Sequence, residues 1–338
     1  MKRILLGTIL AGIGALTATA TLAQDYPWKP DRPVTIIVPW AAGGSTDQMA
    51  RIVASELETE LKQKFVVVNQ PGASGSIGTK NAMEAAKDGY TWAAGAAVDV
   101  GTYGVLGLLE TGLPDWRMYF AVANVNVISA NPSTPYKDFG QLLGDLKTKG
   151  DSITVATAGL SSAGHNFMES VRAADPAVKY KHITYNGGAP AVTATVAGET
   201  MTAAQLLVEM SEHIKAKRLV PLAVQAEKPV MLDGYGEIPA VTKWLPKMPA
   251  PLNYFGIWVH KDAPPAVIQT MDAVWKNKIA KSDALKKYSD SRAALYAPIY
   301  GDEARNEAMK MVRYTAWLYH DGGKSKVSPD TLGIKRLE

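Results

Sequence analysis

The chain has 338 residues, no cysteine, and 36 Lys and Arg against 32 Asp and Glu, a formal net charge of +4. The lack of cysteine excludes a disulfide scaffold and a lipid anchor on an N-terminal cysteine, so burial alone must stabilise the fold. A charge this small, with basic residues scattered in short clusters such as 215–218, excludes a nucleic-acid footprint, and the length predicts two lobes rather than one core.

Lys2 and Arg3 precede an apolar run from Ile4 to about Leu16, and small residues follow through Ala23. This is the pattern of a secretory signal peptide over residues 1–23, with cleavage after Ala20 as the alternative, and it places the mature protein in the periplasm. The run is shorter than the ~20 residues that a membrane span needs. Loss of Lys2 and Arg3 leaves the mature chain near +2.

Val34 to Val38 is a β-branched strand that feeds Trp40-Ala41-Ala42-Gly43-Gly44-Ser45-Thr46-Asp47. Glycine lets the backbone turn and approach a ligand closely, and the helix from about Thr46 to Lys62 adds unpaired N–H groups and a positive dipole end. With no Lys or Arg in the loop, backbone donors and hydroxyls must hold the anion, which suits a carboxylate better than a polyphosphate. Asp47 is expected to complement the helix dipole more than to touch ligand, whereas Trp40 is expected at the pocket wall.

Phe65 to Val68 reads as the next strand, Ile77 to Ala86 as helix and Tyr90 to Ala94 as extended. The stretch Ala121 to Ala130 has no breaker and can cross between lobes. A second alternating series follows, with strands at Ile153 to Thr157, His182 to Tyr185, Met201 to Leu206 and Leu219 to Val224. Its helices are Phe139 to Lys147, His165 to Ala173, Pro190 to Ala197 and Val208 to Lys217. Residues 227–251 are rich in Pro and Gly and read as irregular. Strand Tyr254 to Val259, with Trp258 as core, and helices near Pro264 to Ala280, Asp283 to Ser291 and Glu303 to His320 return to the first lobe. The expected fold is therefore α/β with short buried parallel strands and right-handed crossovers. Domain 1 comprises residues 24–124 and 252–338, and domain 2 residues 125–251.

Ligands of open α/β sheets bind beyond the carboxyl ends of the strands. Two further loops have that position: Ala158-Gly159-Leu160-Ser161-Ser162-Ala163-Gly164-His165, and Asn186-Gly187-Gly188-Ala189-Pro190 after Tyr185. A small anion gripped by loops of both lobes would close the cleft, as in a two-lobed solute receptor.

Several linked segments resemble the Bug-type solute receptors, the periplasmic components of tripartite tricarboxylate transporters. They are Pro39-Trp40-Ala41-Ala42-Gly43-Gly44-Ser45-Thr46-Asp47, Val66-Val67-Val68-Asn69-Gln70-Pro71-Gly72-Ala73-Ser74-Gly75, Lys87-Asp88-Gly89-Tyr90-Thr91, Ser162-Ala163-Gly164-His165, Tyr185-Asn186-Gly187-Gly188-Ala189-Pro190-Ala191, 213–219 and Leu222-Ala223-Val224. The resemblance implies a type II-like periplasmic-binding-protein fold, two α/β domains joined by crossing strands around the cleft. It implies a carboxylate ligand, membrane-embedded transporter subunits as partners, and neither enzyme activity nor cofactor; a monomer is expected. The implied ligand-binding residues are Trp40, Ala41, Ala42, Gly43, Gly44, Thr46, Asp47, Ala97, Gly159, Ser161, Ser162, Ala163, Gly164, His165, Tyr185, Asn186, Gly187, Gly188 and Gln205. Three places depart from the family pattern. Ala41 and Ala42 replace a Pro-containing pair, Gln205 stands where an Asp is frequent, and Gly95-Ala96-Ala97-Val98-Asp99 offers fewer hydroxyls. These changes favour a plain dicarboxylate or a larger apolar carboxylate over an amino acid; C4 to C9 dicarboxylates lead, phthalate-type aromatic diacids follow and tricarboxylates come third.

Enzyme readings are weaker. Gly159-Leu160-Ser161-Ser162-Ala163 lacks the last glycine of a nucleophile elbow, and Gly72 to Lys80 misses phosphate-loop spacing. The five histidines have no i, i+4 pairing, so no metal site is expected. A secreted α/β hydrolase is the alternative from another class.

Overall fold

The computed structural model describes residues 25–337; the segment expected to be a signal peptide, residues 1–23, lies outside them. The first half of one lobe runs β1 (Val34–Val38), α1 (Ser45–Leu61), β2 (Phe65–Asn69), α2 (Ser76–Glu84), β3 (Thr91–Ala96), α3 (Ala97–Leu106) and β4 (Trp116–Asn124). The other lobe follows as β5 (Asn126–Ala130), α4 (Phe139–Thr148), β6 (Thr154–Thr157), α5 (Ala163–Ala174), β7 (Lys181–Thr184), α6 (Gly188–Val196), β8 (Thr202–Leu206), α7 (Leu207–Lys215) and β9 (Val220–Val224). A hairpin of β10 (Val230–Leu232) and β11 (Gly236–Ile238) interrupts the segment read as irregular. The chain then returns through β12 (Asn253–His260), α8 (Pro265–Asn277), α9 (Asp283–Arg292), β13 (Leu295–Tyr296) and α10 (Gly301–Asp321).

The strands form two large sheets, ordered β13-β4-β12-β3-β1-β2 and β7-β6-β8-β5-β9. Around β1 and β6 the pairing is parallel, as short apolar runs between helices predict. Each sheet also contains one reversed strand in its interior, and the short edge strand β13 runs antiparallel to β4. β12 lies antiparallel between β3 and β4, and β5 lies antiparallel between β8 and β9. These are the strands by which the chain enters a lobe directly from the other, without a crossover helix to restore direction. β4 passes into β5 through Val125 alone, so the first crossing is short and continuous.

Apolar clusters fill both faces of each sheet. α1 docks through Met49, Ala50, Val53, Ala54, Leu57 and Leu61, all buried. Trp258, expected as core, has no exposed surface. α3 was not legible in the sequence, because Ala97-Val98-Asp99-Val100-Gly101-Thr102-Tyr103-Gly104 combines β-branched residues with glycines, which are poor helix formers. Burial on nearly every side overrides that propensity: Gly101 faces Val312 of α10 so closely that an added Cβ would overlap it.

Candidate functional site

The lobes meet closely along the cleft. Ala41 N–H donates to Asn186 carbonyl oxygen at 2.9 Å, Leu160 N–H to Ser74 Oγ at 2.9 Å and Ser161 Oγ to Ser74 carbonyl at 2.9 Å. Tyr319 of α10 donates to Leu160 carbonyl oxygen and contacts Asn166, and Lys324 pairs with Glu169 at 2.7 Å. The structure is thus a closed form.

At the centre, a cavity of about 30 Å3 is lined by Trp40, Gly44, Ser45, Thr46, Ala96, Asp99, Ala158, Ser162, Ala163, Gly188, Gln205, Leu206, Glu209 and Phe255. A larger groove of about 780 Å3 lies elsewhere, between α5, α10 and residues 244–249; no helix begins at it.

The first loop divides its work. Gly43 turns at φ +83° and its N–H donates to Asp47 Oδ2 at 2.9 Å. Asp47 also pairs with Arg51 at 2.9 Å and accepts from Asn69 Nδ2 at 3.0 Å. Burial pushes its carboxyl up, but these bonds outweigh burial and hold it below the ordinary carboxylate range. Asp47 therefore fixes the loop. Ala42 and Gly43 face solvent, while Gly44, Ser45 and Thr46 turn into the cleft.

Glu209, which sequence reasoning passed over, reaches from the first turn of α7 to the first turn of α1. Its Oε1 accepts the Ser45 N–H at 2.9 Å. An added Cβ at Gly188, the first residue of α6, would overlap the same carboxylate. The starts of α1, α6 and α7 thus surround one anionic group. The residue is partly buried, but its carboxyl group is enclosed; desolvation raises its pKa above the ordinary value, against the bonds from Ser45 and the Leu206 N–H. Gln205, with its amide oriented to satisfy both neighbours, accepts from Ala158 N–H at 2.5 Å and donates to Glu209 Oε2 at 3.3 Å. An acidic residue in the first turn of a helix beginning at a strand end was the available signal, the same one that Asp47 gave.

Asp99 lies opposite, 4% exposed, with Oδ1 unpartnered among the described residues. Burial raises its pKa well above the carboxylate range, opposed by a hydrogen bond with Trp40. Ala97, expected at this wall, instead begins α3 and packs in the cluster containing Ile37, Ala93 and Val100.

The Gly159 to His165 loop is largely satisfied from within. Ser162 caps α5 by accepting His165 N–H at 3.3 Å and donates to Gly159 carbonyl oxygen at 2.7 Å. Gly159 packs on Ser74, and Gly164 lies so close to Ala204 of β8 that a Cβ there would overlap its carbonyl oxygen. Of this loop, Ala158, Ser162 and Ala163 reach the cavity. His165 stacks on His182 at 4.5 Å away from the cavity lining; burial first, then the neighbouring His182, Lys324 and Arg172, depress its pKa. In the third loop Gly187, at φ +155°, contacts Ala41, Asn186 receives the cross-lobe bond, and Tyr185 packs behind with Ala191 and Val192.

The cavity offers N–H donors, a buried acid and aromatic walls. Among the described residues no group of three or more His, Asp or Glu could hold a metal, and no helix is long and apolar enough to cross a membrane.

Comparison with known proteins bears on this arrangement. The chain is 28% identical to a UPF0065 protein of Pseudomonas sp. from the tcbD-tcbE intergenic region, over 82% of this chain and 83% of that protein. It is 32% identical to Protein BugT of Bordetella pertussis, over 64% and 68%. The fold matches the periplasmic binding protein BugD (TM-score 0.78, 24% identity, 88% and 99% covered). It also matches a protein of R. palustris solved with adipate (0.77, 20%, 87% and 98%) and MatC from Rhodopseudomonas palustris with bound malate (0.77, 19%, 86% and 99%). The matched family and the structural neighbours are solute-binding proteins, not enzymes. The sequence profile of the tripartite tricarboxylate transporter family receptor matches residues 49–305, and the chain belongs to that family of Bug-type receptors.

Proposed function

We propose that the mature protein is a monomeric periplasmic receptor, exported by residues 1–23, that captures a small organic carboxylate and delivers it to the membrane subunits of a tripartite tricarboxylate-type transporter. Residues 24–124 with 252–338 form one lobe and residues 125–251 the other, and ligand binding shifts an open ensemble toward the closed form that docks on the transporter. C4 to C9 dicarboxylates lead. Trp40 and Phe255 on the cavity wall support phthalate-type diacids as a second class, since flat apolar walls suit an aromatic ring.

The observation that carries this reading is the convergence of α1 and α6, from opposite lobes, on one carboxylate position. No basic side chain lines the cavity, so backbone N–H groups are the recognition elements. The test is a thermal-shift screen of the mature protein against a carboxylate panel that includes adipate and malate. A ligand at 100 times its dissociation constant should add ~2.7 kcal/mol. Diacids should bind at least tenfold tighter than their monoamides, ~1.4 kcal/mol; equal affinity would overturn the two-ended grip.

A further inference from the structure

The closed cleft already contains a carboxylate of its own. Glu209 rides on α7 of the second lobe, yet its Oε1 accepts the Ser45 N–H of the first lobe at 2.9 Å, and its Oε2 accepts from the Gln205 amide at 3.3 Å. Beside it Gly188 leaves no room for a Cβ. The remaining cavity, about 30 Å3, is of the size that holds a water and not a diacid. Asp99 also lines this space, and its buried Oδ1 has no partner among the described residues, which leaves unused hydrogen-bonding capacity beside the cavity.

We propose that Glu209 is a tethered stand-in for the ligand carboxylate, clasping the lobes while the cleft is empty and competing with the ligand for the α1–α6 cradle. This rests on the carboxylate reading above. Because the two halves of the clasp lie on different lobes, opening separates Glu209 from Ser45 and frees the cradle. On closing, the ligand carboxylate and Glu209 meet the same N–H donors, which cannot serve both, and two like charges at that distance repel. Glu209 thereby sets the affinity threshold that a ligand must exceed. An amide of the same shape removes the repulsion and can donate to the ligand.

The test compares the mature protein with Glu209→Gln and Glu209→Ala by calorimetric titration of malate and adipate, with aspartate as a zwitterionic comparison, and by small-angle scattering without ligand. Circular dichroism checks the fold of both variants, and either folded variant suffices. Glu209→Gln should bind the diacids at least tenfold tighter than the parent, and both variants should show a larger ligand-free radius of gyration. Diacid affinity that is unchanged or weaker in the variants, or an unchanged radius, overturns the stand-in and leaves the carboxylate reading intact. Aspartate bound by the parent and lost in Glu209→Gln overturns it as well, because Glu209 would then be the partner of an ammonium group. Absence of diacid binding by parent and variants alike removes both readings.

Discussion

The turns at Trp40 to Asp47 and at Ala158 to His165 look alike in sequence: each follows an apolar strand, mixes glycine with hydroxyl residues and opens a helix. In the folded protein they behave differently. The α5 turn uses its own Ser162 side chain as cap and spends its remaining polar groups on Ser74 of the other lobe. The α1 turn has no side-chain cap, and its Ser45 N–H is met by a carboxylate from the opposite lobe. A glycine-rich strand-to-helix turn becomes an anion site only when its own chain leaves the donors free, and capping decides that.

The largest expected effect blocks the space that the first turn shares with α6. Gly188→Val fills the position at the start of α6 where the Glu209 carboxylate lies and where a ligand carboxylate would have to sit, so carboxylate affinity should fall at least 100-fold, ~2.7 kcal/mol, with far-UV dichroism preserved. Titration calorimetry decides it, and retained affinity would move the ligand away from α6. A second effect belongs to the α5 side. His182 bonds Thr157 Oγ1 at 2.6 Å and stacks on His165; burial chiefly, and then Lys324, depress its pKa to about 4. A base depressed in the folded state contributes stability that is present above about pH 6.5 and lost as pH falls toward 4. Discounted for partial exposure, the loss should be ~1–2 kcal/mol across that window. Melting curves of the parent and His182→Gln would show it, and parallel pH profiles would refute the assignment. The smallest effect sharpens the contrast directly. Ser162→Ala removes the α5 cap and should cost ~1 kcal/mol in denaturant unfolding, while carboxylate affinity stays within about threefold. A larger loss of binding than of stability would make the α5 turn a ligand contact after all.

Much of the fold is legible because the signals are local. Strands such as Val34–Val38 and Phe65–Asn69 are short apolar β-branched runs, and α1 carries one apolar face, so periodicity places them within a residue or two. α3 and the β10–β11 hairpin are not legible: the first is helical because its surroundings bury it, and the second is short, with Met231 and Glu237 exposed. The reversed strands β5 and β12 follow from the path of the chain between lobes, which no local pattern encodes.

By itself the sequence determined the α/β alternation, the three glycine-bearing turns at strand ends and the absence of basic residues from the first of them, because glycine, hydrophobic period and charge act over a few residues. Only the tertiary structure decided which of those turns keep free donors. The partner of Ser45 is Glu209, 164 positions away, and the lining of the cavity includes Asp99, whose pKa is raised by burial that arises only once α3 is packed. Hydrogen-bond satisfaction and desolvation are properties of the assembled cleft, and they turn a pattern shared by many strand-to-helix turns into one enclosed contact between two lobes, the Glu209 carboxylate on the Ser45 N–H.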